Sequence, residues 1–382
     1  MTRTPSPAQG HLPGLDVLRA IAIVWVMFFH SWVVGGLGPD WRWLSYYGWM
    51  GVDLFFVLSG FLIGQQVLAP LSRGEPLRFG DFYLRRAFRI LPAYWVVLAL
   101  YVLVPAWSEA PLMEPLWKFA LMVMNLDNDY SRSAFSHAWS LCVEEHFYLV
   151  FPLLAWALMR RPAVWKVSVL ATCVVVGGVA LRSGIWLHDT AAEAAGAPQR
   201  NWFVEDLYYP TWNRLDGLLC GVLLATLKVF RPALWARAQA KANGVLMLGL
   251  AVMALAFWLT RARVDLMSNA LGWPVLSAGL ALLVFAGAAR GSLIGRWQVP
   301  GVGWLAGISY SLYLVHKAVF KQVQLHLGDA IAGLGVAQVL VYGGAALLVA
   351  AVLYYAVERP GLRLRGRVLG TRRPPVVARE TA

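Results

Sequence analysis

Ten stretches of this 382-residue chain are apolar over the length needed to cross a bilayer, and that pattern leaves few folds open to it. A helix needs about 20 predominantly apolar residues to span the hydrocarbon core. Windows of that kind fall at about 15–34, 49–68, 90–106, 138–159, 164–182, 207–228, 243–260, 270–289, 302–321 and 333–357. Lipid offers no partner to backbone N–H and C=O groups, so each window is expected to bond internally as a helix. Only 14% of the residues are charged, against roughly a quarter in a soluble domain, too few to coat globules of this size. The expected fold class is therefore all-α, a polytopic transmembrane helical bundle of about ten spans. The stretch 116–126 is too short for an eleventh span and runs into Asn125, Asp127, Asn128 and Asp129; it reads as a re-entrant or interfacial piece. The first window follows Arg3 and carries no small-residue cleavage site after it, so it reads as a retained helix and not a signal peptide.

The net charge of +13 invites a nucleic-acid reading, but its distribution argues against one. Basic residues sit in short clusters between the apolar windows, the arrangement that sets membrane topology. With the N-terminus in the cytoplasm, the inner segments hold 22 of the 33 Lys and Arg: Arg3, five from Arg73 to Arg89, Arg160, Arg161 and Lys166, four from Lys228 to Lys241, Arg290 and Arg296, and seven from Arg359 to Arg379. Arg19 and Arg214 are assigned to spans and the other nine to the outside. Both termini are thus expected in the cytoplasm of a multi-pass protein of the plasma (inner) membrane. Residues 1–361 form the expected membrane domain, and 362–382 a basic cytoplasmic tail, disordered at the inner surface. The outer segments 107–137 and 183–206 are long enough to cover an outward-facing site. Cys142, Cys173 and Cys220 are odd in number and lie within apolar windows, which predicts packing roles and neither a disulfide framework nor a metal site.

Ionisable side chains inside spans are costly and mark candidate sites. Span one carries Arg19 and His30; eleven residues bring them to within about 20° of one helical face, roughly 16 Å apart along the axis. Span two carries Asp53 near its outer end, span four Ser140, Glu144, Glu145 and His146, and span nine His316. In a ten-span arrangement His30, Asp53, Glu144 and His316 are expected at similar depth in the outer half of the membrane, a layer suited to general acid–base work. Arg214 and Asp216 near the middle of span six read as a structural ion pair. Arg86 and Arg89, three apart beside Pro92, project together; they suit anionic phosphates as well as they suit a purely topological role.

The ordered set Leu15-Asp-x-Leu-Arg19…His30, Gly51-Val-Asp-Leu-Phe-Phe-x-Leu-Ser-Gly60, Tyr83-x-x-Arg86-x-x-Arg89-Ile-x-Pro92, Trp139-Ser-Leu-x-Val-Glu144-Glu145, Arg214-x-Asp216, Ser309-Tyr-x-x-Tyr313-Leu-x-His316 and Glu358-Arg-Pro360 resembles the acyltransferase-3 family of bacterial integral-membrane O-acyltransferases, from about residue 14 to 361. One departure is visible: Cys142-Val-Glu-Glu-His146-Phe stands where the family often has Ser-Val-Glu-Glu-Gln-Phe. The resemblance implies transfer of an acyl group, usually acetyl, from cytoplasmic acyl-coenzyme A to a hydroxyl of a surface or secreted carbohydrate or a glycosylated product. It implies no bound cofactor and no metal. It maps the Arg-(ten residues)-His element onto Arg19 and His30, and the Arg-x-x-Arg element onto Arg86 and Arg89. Some relatives carry an esterase-like domain after the last span, which is not expected here.

These residues suggest one mechanism. The donor's phosphates would stay at the inner face near Arg19, Arg86 and Arg89 while the thioester reaches toward His30. His30 would act as general base, with Glu144 or Asp53 orienting the reacting groups, and Ser140, Arg214, Asp216, His316 and Glu358 as supporting polar groups. Ser140 as an acyl-bearing nucleophile is the less simple variant. A transporter or flippase for a lipid-linked or carbohydrate substrate would use the same buried charges as a relay. A membrane scaffold has no need of them. Expected partners are acyl-coenzyme A, the hydroxyl acceptor and membrane lipid, without nucleic acid; the residues do not specify the oligomeric state.

Overall fold

The computed structural model describes residues 12–34 and 42–370. Among them the chain is helical, and the one β-type contact is an isolated bridge between Met113 and Ser133. Helices of eight residues or more are α1 (Pro13–Val34), α2 (Met50–Ser72), α3 (Phe79–Leu103), α4 (Trp139–Met159), α5 (Val164–Ala194), α6 (Leu215–Phe230), α7 (Pro232–Gln239), α8 (Ala242–Leu259), α9 (Trp273–Gly287), α10 (Val302–Ile331), α11 (Val336–Leu353) and α12 (Arg359–Gly370). Pro232 opens α7 at a position where the missing N–H would have no helical partner anyway. Gly301, at φ 82°, lets the chain turn sharply into α10.

All ten expected windows fall on helices, with informative differences in extent. Among the described residues, eight helical segments are long and apolar enough to cross a membrane, or nine if α6 and α7 form one span bent by 109°. The tenth, α10, carries Ser309, Ser311, His316 and Lys317 inward, which dilutes its apolar character. α3 starts at Phe79, well before the expected residue 90, so Arg85, Arg86 and Arg89 belong to a helix and not to an inner loop. Apolarity marks where lipid begins, not where the helix does. The window 207–228 is broken: a π-turn at Phe203–Tyr208 and a 3₁₀ turn at Thr211–Asn213 flank Pro210, and α6 begins only at Leu215. The tail expected to lose order from Leu362 is helical to Gly370, continuous with α11 through a π-turn at Tyr354–Glu358. Arg3, Arg372, Arg373, Pro374, Pro375 and Arg379 lie outside the described residues.

The bundle is built around the contact of α2 with α6. A Cβ on Gly60 would collide with the Leu218 carbonyl, and one on Gly221 with the Val57 carbonyl, so the two backbones meet through bare glycines. Small residues serve helix association in lipid, where no hydrophobic force separates one apolar face from another. α1 packs between α2 and α10. Gly14 of α1 lies against Gly287 and Gly295, and the Leu293 N–H donates to Asn243 Oδ1 at 2.8 Å, which gathers the start of α1, the end of α9 and the start of α8 at one end of the bundle. At the other end, 107–137 folds back over the helices. Its helix Leu116–Ala120 has five residues and crosses nothing; Tyr94 Oη donates to the Phe119 carbonyl at 3.0 Å.

Candidate active site

At the end covered by 107–137, three imidazoles converge. His30 of α1 and His316 of α10 meet through His30 Nδ1 and His316 Nε2, 2.9 Å apart. His137, just before α4, lies with its ring 5.2 Å from that of His316. His316 and His137 are fully buried, whereas His30 keeps part of its surface exposed. Proton placement follows from the partners. His316 Nδ1 is 2.8 Å from the Tyr313 carbonyl, and a carbonyl only accepts, so Nδ1 carries the hydrogen. Neutral His316 then offers a lone pair at Nε2, and His30 must donate to it from Nδ1. The tautomer left to neutral His30 has an unprotonated Nε2, which is the form a general base needs.

Glu109 and Lys317 brace this triad from the side. Lys317 Nζ lies 3.0 Å from Glu109 Oε1 and donates to Ser136 Oγ at 2.8 Å. Tyr101 Oη donates to the other Glu109 oxygen at 2.6 Å. Lys317, assigned to the outside by charge counting, is buried within α10.

The arginines occupy a separate level. A cavity of about 220 Å³ is lined by Arg19, Arg86 and Arg89 at one end and by Ser140 and Tyr313 at the other, with Glu144 between. Glu144 accepts hydrogen bonds from Ser59 Oγ at 2.6 Å and Tyr148 Oη at 3.1 Å. Arg19 pairs with Asp16 at 3.1 Å, and Arg89 with Glu358, whose other oxygen accepts from Ser311 at 2.6 Å. Arg86 Nε is buried with no hydrogen-bond partner. Ser140 Oγ and Tyr313 Oη, 2.6 Å apart, close the cavity on the side of the histidines.

The single polar layer expected from span counting is thus resolved into two levels. Ser140 meets Tyr313 three residues before His316, and Glu144 is a further turn along α4; the carboxylate therefore lies roughly 10 Å from the histidine pair along the bundle axis. Asp53 is drawn elsewhere again. Six residues separate it from Ser59, which turns its side chain about 120° around α2 toward α6, where both its oxygens accept from Arg214 Nη2 at 2.9 and 3.1 Å.

Arg214 and Asp216 do not pair with each other, contrary to expectation. Adjacent turns point them to opposite neighbours: Arg214 to Asp53, and Asp216 to Arg182 of α5 at 2.8 Å. Arg214 is enclosed by aromatic faces, the nearest that of Trp273 at 3.8 Å. His146, the departure from the family pattern, ties α4 to the broken segment through a 2.7 Å contact of Nδ1 with Thr211 Oγ1. Arg182, Glu109, His137 and Lys317 were not singled out by sequence; Arg182 and Lys317 carried a usable signal, each a cation inside an apolar window (164–182 and 302–321).

The family profile described as an acyltransferase domain matches residues 12–355. The peptidoglycan O-acetyltransferase OatA of Listeria monocytogenes is 27% identical over 341 residues, 84% of this chain and 51% of the relative. The O-acetyltransferase OatA of Staphylococcus aureus is 28% identical over 230 residues, 56% of this chain and 34% of the relative. YrhL of Bacillus subtilis is 27% identical over 386 residues, 93% of this chain and 55% of the relative. At its widest match the chain spans about half the length of these curated relatives. No solved structure matches it.

Proposed function

The chain belongs to the acyltransferase family whose profile covers residues 12–355, and from that premise we propose that it transfers an acetyl group from acetyl-coenzyme A to a hydroxyl of a cell-envelope carbohydrate. The relatives' names specify O-acetyl transfer, in OatA of Listeria monocytogenes to peptidoglycan. The observation that carries the reading is the His30–His316 contact, whose hydrogen-bond logic leaves His30 Nε2 as a free base on the part-exposed imidazole.

In this reading Arg86, with Arg19 and Arg89, attracts the donor's phosphates, and the flexible arm runs along the 220 Å³ cavity past Glu144 toward Ser140 and Tyr313. The acceptor hydroxyl approaches His30 and loses its proton to Nε2 as its oxygen attacks the thioester carbonyl. The C–S bond then breaks and the thiolate takes up a proton. His316 is a positioning residue, since it touches His30 and not the substrate. Ser140 and Tyr313 stand between cavity and histidines, so their hydrogen bond must part, or their side chains turn, for the thioester to reach His30. The Arg-rich end is assigned to the cytoplasm, in an inner-membrane setting, on the charge bias of the loops.

The test uses full-length protein in nanodiscs with acetyl-coenzyme A and a soluble glycan acceptor. His30→Ala is expected to lose acetyl transfer by about 10²–10⁴-fold, the usual worth of a general base. His316→Ala should lose about 10–100-fold, in line with other partners that orient an imidazole. Wild-type turnover in a folded His30→Ala protein removes the proposed base. Uptake of a glycan without its acylation would replace the reading with transport.

A further inference from the structure

Arg86 lines both the arginine cavity and a second cavity, of about 680 Å³. The walls of the second are the α2–α3 connection, the first turns of α3 and one stripe of α12. α12 runs antiparallel to α3: Gly361 lies against Pro92 and the Phe88 carbonyl, while Leu369 faces the cavity with Phe82. Gly361, Arg365 and Leu369 are four residues apart and share one helical stripe. On a helix that merely packs on the bundle, the middle of that stripe would be apolar. Here it is Arg365, among Arg85, Arg86 and Arg89, all of the same charge. An arginine with only a topological role would snorkel outward to head groups.

The nearby carboxylates have arginine partners other than Arg85 and Arg365. Glu75 and Asp81 line the cavity themselves, but Glu75 pairs with Arg73 at 2.6 Å and Asp81 lies 3.9 Å from Arg78, while Glu358 holds Arg89. Glu144 and Glu145 act on Arg86 from the side of the first cavity. Among the described residues, no carboxylate forms an ion pair with Arg85 or Arg365. Guanidinium groups gathered around open space in this way suit an anion that accepts from several of them at once.

We infer that Arg85, Arg86 and Arg365 form a binding site for a phosphate-bearing ligand, with α12 as one of its walls. Two sources share that chemistry, the nucleotide end of the acyl donor and a phospholipid head group. That Arg86 lines both cavities favours the nucleotide: a donor whose phosphates it holds here would have its arm on the side of Ser140 and Tyr313. This assignment of source rests on the acyl-coenzyme A reading above.

The experiment measures binding of adenosine 3′,5′-bisphosphate, which carries phosphates and no thioester, to full-length protein in phosphatidylcholine nanodiscs by calorimetry. Arg365→Gln is expected to raise Kd about tenfold, as loss of a charged hydrogen bond does, and Arg365→Lys to raise it less. His30→Ala should bind like wild type. Arg85→Gln reads the same site should Arg365→Gln fail to fold. Equal affinity in wild type, Arg365→Gln and Arg85→Gln overturns the site and leaves the donor reading standing. If wild type ignores the nucleotide but retains phosphatidylglycerol through Arg365, the phosphate site stands and its source is lipid, which removes the donor assignment. Binding of neither overturns the inference.

Discussion

Arg86 and Arg89 lie three positions apart, yet among the described residues only Arg89 of the two has a carboxylate in contact, Glu358. The two should therefore respond differently to substitution. Arg86→Ala removes a cation that no ion pair holds, so KM for acetyl-coenzyme A should rise about tenfold while thermal stability stays within about 0.5 kcal/mol of wild type. Arg89→Ala strands the buried Glu358 carboxylate and should cost about 3 kcal/mol of stability, recovered in part by adding Glu358→Gln. Steady-state kinetics and thermal unfolding in detergent separate the two, and an Arg86 variant that unfolds early would move that residue into the structural class. Arg19, His30, Arg86, Arg89 and Glu144 were legible in the sequence because an ionisable group beside an apolar run stands out. Glu109 and His137 were not, since each belongs to the polar segment 107–137, where such residues are ordinary. Only the tertiary fold brings them to Lys317 and His316.

For whole elements, apolar length was a good guide to the existence of helices and a poor guide to their ends. Each misjudged boundary has a local cause. α3 continues into polar sequence because its first turns lie at the charged end of the bundle, and α6 starts late because Pro210 and the turns around it break the helix. Three π-turns, at Phe203–Tyr208, Ser268–Gly272 and Tyr354–Glu358, were invisible to a period of 3.6. Such turns often mark functional positions. Here they supply Tyr208 to the aromatic faces around Arg214, the Asn269 carbonyl to Arg182 and Glu358 to Arg89. The α2–α6 contact fixes both Asp53–Arg214 and the wall that bears Ser59, so its glycines should be intolerant of side chains. Gly221→Val is expected to destabilise the protein by about 1–3 kcal/mol through overpacking and to lower activity in proportion to the folded fraction. Gly177→Val, on α5 with nothing within 4 Å of an added Cβ, is the control. Equal melting temperatures for the two variants would mean that α2 and α6 separate more readily than their backbones suggest.

At the scale of the whole molecule, the two levels of the site imply a direction. The basic end carries Arg85, Arg86 and Arg365, and the opposite end carries the part-exposed His30 beneath the segment 107–137. If the loop charges orient the chain by the usual rule, the basic end faces the cytoplasm. Coenzyme A cannot enter lipid through its phosphates, so the donor should work from that side alone. The acceptor should be acetylated on the far side without first being carried across. Sealed vesicles of known orientation test this by supplying acetyl-coenzyme A and glycan to separate compartments. Product is expected only with the donor on the cytoplasmic face and the glycan opposite. Product that requires both on the cytoplasmic face would show that the acceptor reaches His30 from within the bilayer. The apolar groove beside it, lined by Met27, Phe28, Ser31, Phe320 and Tyr342, would then be the route to examine, since a lipid-linked acceptor could present its hydroxyl there. The His30–His316 chemistry is the same by either route, so the vesicle experiment decides sidedness independently of the identity of the base.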